Sequence, residues 1–299
     1  MEKLIINACP VCGSTHLKRV MTCTDFYASG EQFELCSCED CGFTFTQGVP
    51  VEAEIGKYYE TPDYISHTDT RKGAMNTSYH YVRSYMLGRK ARLVAREAHR
   101  KRGRLLDIGT GTGYFADTMA RRGWKVEAVE KSPQARAFAK EHFDLDVKPE
   151  SALQEFAPGS FDVITLWHVM EHLEHLNETW EMLRELLTEK GMLIVAVPNC
   201  SSYDAGRYGE YWAAYDVPRH LWHFTPVTIQ QLASRHGFIM AARHPMPFDA
   251  FYVSMLSEKH RGSSCSFLKG MYVGTLAWFS TLGRKERSSS MIYVFRKKR

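Results

Sequence analysis

Four cysteines of this chain have the spacing of a metal site. They occur in two C-x-x-C-G sequences near the start of the chain, and each sequence places two thiolates on a tight turn that its glycine permits. Four thiolates give closed, tetrahedral zinc coordination, which is a structural type of site. The candidate zinc ligands are Cys9, Cys12, Cys38 and Cys41. The spacing predicts a zinc-ribbon-like module over residues 1–50, with Cys36 as a competing ligand and a set of free thiols as the alternative.

A second set of reactive side chains lies in WHVMEHLEHL, residues 167–176. His168, Glu171 and His172 spell H-x-x-E-H, which taken alone is the inverted zinc-protease motif. The preceding FDVITL has the composition of a buried strand, and a protease of that kind would carry its motif on a helix. If a helix begins directly after His168, these residues and His175 share one face, and a catalytic metal is one interpretation. In the other, His168 contacts a ligand while Glu171 and His172 cap and pack the helix start.

The sequence LLDIGTGTGYF, residues 105–115, has the form of a buried strand, a glycine-rich turn and the start of a helix. Gly109, Gly111 and Gly113 allow backbone to approach a ligand where a Cβ atom would clash. In an alternating α/β fold, such a turn lies outside the carboxyl ends of the strands, where ligands bind. A dinucleotide-binding loop would read G-x-G-x-x-G, and Tyr114 occupies its third glycine position here.

This turn, with Asp107 ending the strand before it, resembles motif I of the class I S-adenosylmethionine (SAM) methyltransferases. Two further segments resemble the same family: KVEAVEKS, in which Glu130 ends a strand, and FDVITLWHVMEHL with the LRELLTEKGMLIVAVPN that follows. The resemblance extends over about residues 80–245. It implies SAM as the cofactor and methyl transfer as the reaction.

The resemblance also implies which residues contact SAM. Asp107 and the glycine turn would hold the methionine end, Glu130 the ribose hydroxyls, and Lys131 would flank the adenine. The adenine amino group is expected near Glu150 or Ser151. The full set of expected cofactor contacts is Asp107, Gly109, Thr110, Gly111, Gly113, Phe115, Glu130, Lys131, Ser151, Trp167 and His168.

Another histidine cluster lies in DVPRHLWHFTP, residues 216–226. It resembles the segment of nucleotide-sugar C-methyltransferases in which a histidine acts as base, and His220 matches that histidine. Those enzymes carry an acidic residue just before it, whereas this chain has Arg219, which could hold a phosphate or carboxylate instead. Because a neutral histidine can remove a proton near pH 7, His220 and His168 are the candidate catalytic residues. The alternative is that His220, like His223, only holds the loop by hydrogen bonds.

Strands and helices alternate from residue 78 onward. This pattern predicts a doubly wound, mainly parallel, seven-stranded Rossmann-like sheet of the SAM-methyltransferase type. The expected strands are 103–109, 125–130, 145–149, 161–167, 191–199, 238–244 and 289–297, and the expected helices are 78–100, 114–123, 132–143, 177–191 and 225–237. The chain is thus expected to comprise the module 1–50, a linker 51–77 and a methyltransferase domain 78–299.

Two segments fall outside this alternation. Residues 248–287 are expected to form a helical insertion before the last strand, and their aromatic and Met residues favour core or oligomer contacts over a membrane anchor. The linker carries Tyr58, Tyr59 and Tyr64, which either reach over the cofactor or simply pack.

Composition favours an ordinary soluble protein. Hydrophobic residues make up 44% of the 299 residues, charged residues make up 24%, and the net charge is +4. The basic clusters at 99–104 and 295–299 are short, so there is no strong nucleic-acid signal. The N-terminus has no apolar stretch of a signal peptide, and no segment spans a bilayer comfortably. We therefore expect a cytoplasmic protein whose crowded cysteines bind metal rather than form disulfides.

Together these features predict SAM-dependent methyl transfer to a small-molecule acceptor, with a nucleotide-linked sugar or a related precursor as the first candidate. The first alternative is an O-methyltransferase of the ubiquinone type, with or without a catalytic metal. A methyltransferase acting on a macromolecule and a SAM- or zinc-binding adaptor without turnover are the others.

Overall fold

The computed structural model describes residues 2–59 and 74–298, with side chains from residue 83 onward in the second stretch. Its strands are β1 (Lys3–Leu4), β2 (Leu17–Thr24), β3 (Gln32–Cys38), β4 (Thr44–Gln47), β5 (Val49–Pro50), β6 (Arg104–Ile108), β7 (Lys125–Val129), β8 (Phe161–Trp167), β9 (Leu187–Pro198), β10 (Trp222–His223), β11 (Phe238–Met246) and β12 (Ser290–Lys297). Its α-helices are α1 (Ala74–Glu97), α2 (Tyr114–Arg121), α3 (Pro133–Phe143), α4 (Leu176–Leu186), α5 (Tyr203–Tyr208), α6 (Pro226–Arg235), α7 (Asp249–His260) and α8 (Ser266–Gly283).

The larger sheet has six strands in the order β11-β12-β9-β8-β6-β7. The four strands β9, β8, β6 and β7 run parallel, and β12 is antiparallel to both of its neighbours. This confirms the predicted α/β class with a mainly parallel sheet. The strand predicted over 145–149 is reduced to a single parallel bridge between Val129 and Lys148. Pro149, which lacks an N–H group, follows directly and cannot extend the ladder.

One helix boundary differs from the prediction. The helix expected to run to residue 191 ends at Leu186, and β9 begins at Leu187, where the backbone is already extended. Leu187 is fully buried and pairs with Phe161 of β8. Burial of this leucine in the sheet therefore prevails over the helical pattern of the residues that follow.

The insertion before the last strand is present as two helices, α7 and α8, between β11 and β12. They pack tightly against each other, because Gly270 and Gly274 of α8 face the backbone of Met255 and Phe251 of α7. No helix in the described part of the chain has the length and apolar content needed to cross a membrane.

The smaller four-stranded sheet joins the beginning of the chain to its later part. Its order is β10-β4-β3-β2, and β10 pairs with β4 through Trp222 with Phe45 and His223 with Thr44. A common hydrophobic core extends from Phe43 and Phe45 of this sheet to the strands of the larger one. The residues around the second histidine cluster thus form part of the N-terminal sheet.

Candidate active site

The glycine turn connects β6 to α2 and lies at the carboxyl end of the parallel strands. The backbone N–H groups of Gly109 and Thr110 both donate to the carbonyl of Val129 on the neighbouring strand, over 2.9 and 3.1 Å. Gly109 has φ +67°, and a Cβ atom there would lie 2.4 Å from Val169. At Gly111 a Cβ atom would meet no described atom within 4 Å, so this part of the turn is open to a ligand.

Asp107, the last-but-one residue of β6, points a buried carboxylate at the same place. Its Oδ1 accepts a hydrogen bond from the Thr165 hydroxyl at 2.6 Å, whereas its Oδ2 has no partner among the described residues. Burial raises the pKa of Asp107 to about 6 even though its hydrogen bonds oppose the rise. A buried carboxylate oxygen without a partner is suited to a cationic ligand group.

Glu130 closes the other side of the turn. Its carboxylate accepts hydrogen bonds from the N–H of Gly111 at 2.8 Å and from the N–H of Ser132 at 2.9 Å. Its side chain therefore stands beside the open glycine, with lone pairs remaining for ligand hydroxyls. Lys131 instead turns outward and pairs with Glu52, 2.5 Å away.

The remaining expected cofactor contacts are apolar or peripheral. Phe115 is buried and meets Trp167 edge to face, with ring centroids 5.2 Å apart. Lys90 of α1 lies over the Trp167 ring, with its Nζ 4.4 Å from the ring centre. Glu150 and Ser151 begin a short 3-10 helix, and Ser151 is exposed. These residues border the turn but do not single out an adenine contact.

The histidines of WHVMEHLEHL do not share a helix face, because no α-helix begins directly after His168 as that interpretation required. Only a 3-10 turn covers Met170–His172, and α4 begins at Leu176. The carbonyls of Glu171 and Leu173 accept hydrogen bonds from the Leu221 N–H at 2.8 Å and the Trp222 indole at 2.6 Å. Because these carbonyls already accept hydrogen bonds from the loop 216–223, they are not available to a helix.

His172 and His220 come together where this turn meets the loop 216–223. Their rings stand edge to face with centroids 4.5 Å apart. The Nδ1 of His172 lies 3.0 Å from the carbonyl of Arg219, and the Nδ1 of His220 lies 2.9 Å from that of Ala214. A carbonyl only accepts, so in the neutral rings both Nδ1 atoms carry the proton and both Nε2 atoms keep a lone pair.

Glu171 lies against these two rings. It is fully buried, and neither carboxylate oxygen has a hydrogen bond among the described residues. Burial together with the proximity of His220 lowers the pKa of His172 to about 4, so this ring is neutral at pH 7. One ligand atom from each of Glu171, His172 and His220 lies within 4.8 Å of the others, which is a spacing that a metal ion could bridge.

His168 occupies a different position, between two carboxylates. Its Nδ1 is 3.4 Å from Glu171 and its Nε2 is 3.5 Å from Asp249, the first residue of α7. Burial alone would lower the pKa of this imidazole, but the two carboxylates outweigh burial and raise it to about 9. The backbone of His168 is left-handed, with φ 57°, a strained conformation for a residue other than glycine. At pH 7 the ring is protonated and can donate hydrogen bonds.

Arg219 does not face a ligand, and its expected role as a phosphate or carboxylate clamp was wrong. Its side chain is fully buried and donates to Asp25 at 2.8 Å, to Asp216 at 2.7 Å and to the carbonyl of Tyr58 at 2.9 Å. Asp25 belongs to the N-terminal module and is itself fully buried. Arg219 therefore ties the loop carrying His220 to the beginning of the chain.

The neighbouring polar groups support the same loop. The Thr46 hydroxyl donates to the carbonyl of His220 at 2.8 Å and lies 2.9 Å from the Nε2 of His223. Tyr58 is buried, whereas the Tyr59 hydroxyl reaches His172, 3.1 Å from its Nδ1. Tyr64 lies outside the described residues.

The two C-x-x-C-G sequences form knuckles, tight turns with closely similar hydrogen bonds. In each, the N–H of the glycine donates to the carbonyl of the first cysteine, from Gly13 to Cys9 at 2.8 Å and from Gly42 to Cys38 at 2.9 Å. The Sγ atoms of Cys9 and Cys41 are 3.5 Å apart, and those of Cys12 and Cys38 are 3.4 Å apart. A zinc ion bound tetrahedrally at about 2.3 Å from each sulfur would hold the sulfurs about 3.8 Å apart. The observed sulfur–sulfur distances are close to this value, so the four thiols fit one zinc ion. Cys36 is not part of this group.

Comparison with known proteins identifies the class. The chain belongs to a family described as methyltransferase domain, whose family model matches residues 79–242. It is 35% identical over 101 residues to the mitochondrial ubiquinone biosynthesis O-methyltransferase of Schizosaccharomyces pombe, a match covering 31% of this chain and 37% of that protein. It is 30% identical over 158 residues to the ubiquinone biosynthesis O-methyltransferase of Cereibacter sphaeroides, covering 49% of this chain and 64% of that protein. These matches span less than two thirds of each relative.

The fold agrees with this family. A solved structure from Galdieria sulphuraria, named "putative sarcosine dimethylglycine methyltransferase", superposes with a TM-score of 0.51 at 17% identity, covering 73% of this chain and 86% of that one. By family and by fold, the chain thus belongs to the class I SAM-dependent methyltransferases. Asp107, Glu130 and the glycine turn, the residues predicted to contact SAM, lie together at the carboxyl end of the parallel strands.

Several residues of the site were not predicted from the sequence. Asp249 pairs with His168, Asp25 pairs with Arg219, and Lys90 lies over Trp167. Each comes from a segment distant in sequence from its partner and has no motif around it. No local pattern could have found them.

Proposed function

We propose that this enzyme transfers the methyl group of SAM to a hydroxyl oxygen of a small aromatic acceptor. The similar proteins from S. pombe and C. sphaeroides are named ubiquinone biosynthesis O-methyltransferases, which supports an oxygen acceptor. A nucleotide-linked sugar has less support, because Arg219, the side chain suited to its phosphates, is held by buried carboxylates.

The observation that carries this proposal is the free Nε2 lone pair of His220 in a buried cluster. Its Nδ1 is fixed by the carbonyl of Ala214, and its Nε2 lies 3.8 Å from the carboxylate of Asp216. With SAM and an acceptor bound, SAM would supply the methyl group to the acceptor oxygen as its sulfur–methyl bond breaks, and His220 Nε2 would take the hydroxyl proton. The products are a methyl ether and S-adenosylhomocysteine, with the proton later released to solvent.

The test is turnover with a simple catechol acid as probe acceptor, measured by release of S-adenosylhomocysteine. His220→Ala should lower kcat by about 10²–10⁴-fold, the usual contribution of a general base. His16→Ala is the matched control, since His16 is an exposed histidine in the N-terminal module. Unchanged turnover in His220→Ala would show that this ring is not the base.

A second form of the same reaction is metal-assisted. The buried carboxylate of Glu171 and one ring nitrogen each of His172 and His220 make a two-histidine, one-carboxylate set, which suits zinc, manganese or iron. When bound, such an ion would lower the pKa of the acceptor hydroxyl. Loss of turnover on chelation, restored by a divalent ion and abolished in Glu171→Gln, would favour this form. Turnover that survives chelation would favour His220 alone.

We further propose that Cys9, Cys12, Cys38 and Cys41 hold one structural zinc ion and that residues 1–50 form a zinc-bearing module next to the acceptor side. The fitting sulfur distances and the two matching knuckles support this. Elemental analysis should give one zinc per chain, and Cys12→Ser should lower that value.

A further inference from the structure

Helix α8 packs with its small residues and presents its large ones outward. Gly270, Gly274 and Ala277 are buried. A Cβ atom at Gly270 would lie 2.5 Å from Cα of Met255, and one at Gly274 would lie 2.8 Å from Cα of Phe251. Two glycines four residues apart, at a close helix crossing, are a packing mode common among helices in membranes.

The opposite side of α8 is almost wholly apolar and exposed. We call it the outer face of α8; its residues, with exposed fractions, are Phe267 (64%), Leu268 (68%), Met271 (36%), Tyr272 (66%), Phe279 (54%) and Leu282 (68%). At 100° per residue these six positions fall within one continuous sector of the helix. They are therefore not core residues, which was one of the two roles expected from the sequence; oligomer contact was the other.

The charged residues in α8 and next to it in the sequence are nearly all basic. Residues 259–287 contain six Lys or Arg residues, all exposed, and a single acidic residue. That residue, Glu286, is paired with Arg243 of β11. Lys269 is the only charged residue within α8 and borders its apolar sector. An exposed apolar stripe with aromatic side chains and a basic surround is typical of helices that lie in a bilayer interface.

We propose that the outer face of α8 binds the surface of an anionic lipid bilayer. The apolar side chains would enter the acyl boundary, and the surrounding Lys and Arg side chains would contact lipid phosphates. A second copy of the chain is the competing occupant. Two such faces brought together would set like charges against each other, whereas an anionic bilayer is complementary to them.

The α7–α8 hairpin also touches the candidate active site. Asp249 at the start of α7 pairs with His168, and α8 lies against α7 along its length. Bilayer binding would therefore bring the acceptor side of the site close to the lipid, which suits an acceptor carrying an apolar tail. Binding itself does not depend on the identity of the acceptor or on methyl transfer.

The test is flotation of the full chain with vesicles of phosphatidylcholine, with and without phosphatidylglycerol. We expect binding to the anionic vesicles that weakens as salt rises, and much weaker binding to the neutral ones. The variant Phe267→Ser/Leu268→Ser/Tyr272→Ser should lower the partition coefficient by at least about tenfold, because each exposed apolar side chain adds binding through burial. Val227→Ser/Ile239→Ser, which removes exposed apolar residues on α6 and β11, is the matched control.

SAM binding and the thermal midpoint should be unchanged in the triple variant, which shows that it is folded. Failure of the wild-type protein to float, or equal flotation of the triple variant, would overturn the proposal. So would a wild-type protein that is dimeric in light scattering without lipid and becomes monomeric in the triple variant, since the face would then join two copies.

Discussion

The cofactor side and the acceptor side of this site are built in different ways. On the cofactor side, Asp107, the glycine turn and Glu130 lie close together in sequence, and their backbone hydrogen bonds join adjacent strands. On the acceptor side, His172 and His220 are joined through the Arg219 carbonyl, and Arg219 is held by Asp25 from the first module. The difference teaches that the loop with His220 is held by a residue distant in sequence, whereas the glycine turn is held by near neighbours in sequence.

The largest expected effect comes from removing the proposed zinc. Metal binding to such cysteine sets contributes on the order of 10 kcal/mol to folding, so stripping the metal should unfold β2–β4. Because β10 pairs with β4, hydrogen exchange should rise over residues 216–224. Exchange over residues 105–113 should change little, and these peptides serve as the internal control. An equal rise of hydrogen exchange over residues 216–224 and 105–113 would show that the two sides do not unfold independently.

A smaller effect should follow from Asp25→Asn. This change leaves the buried Arg219 with one carboxylate, that of Asp216, instead of two. A hydrogen bond to a charged group contributes roughly 1.5–3 kcal/mol. Urea unfolding should register that loss, and kcat should fall while SAM affinity stays close to the wild-type value. Asp40→Asn in the same module is the control, because its partner His16 is exposed and surface pairs contribute about 1 kcal/mol or less. Equal losses of kcat and SAM affinity in Asp25→Asn would contradict the proposed separation.

The smallest effect concerns pH and the cofactor side. The pKa of Asp107 is raised to about 6, so below that value the free enzyme carries a neutral acid that must lose its proton to bind an ammonium group. SAM affinity should therefore be constant above pH 7 and fall by about tenfold per unit below pH 6. Titration calorimetry with Asp107→Asn should show a weaker and flatter profile. A wild-type affinity that does not change down to pH 5 would rule out this role.

The cofactor side could be predicted from the sequence because its chemistry is local. The strand before Gly109, the turn itself and Glu130 at the next strand end each have a short pattern that indicates both structure and ligand. The strand predicted over 145–149 is reduced to a single bridge. The segment is short, and Pro149 at its end has no N–H group with which to extend the ladder.

The acceptor side could be predicted only in part. His220 was named from the sequence as a candidate base, and that role stays a prediction; its contact with the His172 ring was not foreseen. The expected helix after His168 is absent because loop residues Leu221 and Trp222 bond to carbonyls that a helix would have used. Arg219 seemed suited to a ligand because the sequence does not show that Asp25 lies opposite it. Such long-range pairs determine how the side chains of the site are arranged, and no local sequence pattern indicates them.

The short strand β10 has a consequence for how this protein can be divided. Trp222 and His223 complete the N-terminal sheet, and Thr46 bonds both the His220 carbonyl and the His223 ring. A chain that begins at residue 78 would lack β4 and so expose the edge of β10 and the apolar face of Phe224. Both features promote aggregation. The family model matches residues 79–242 alone, yet because β10 pairs with β4, we expect a stable product to need residues 1–50 as well.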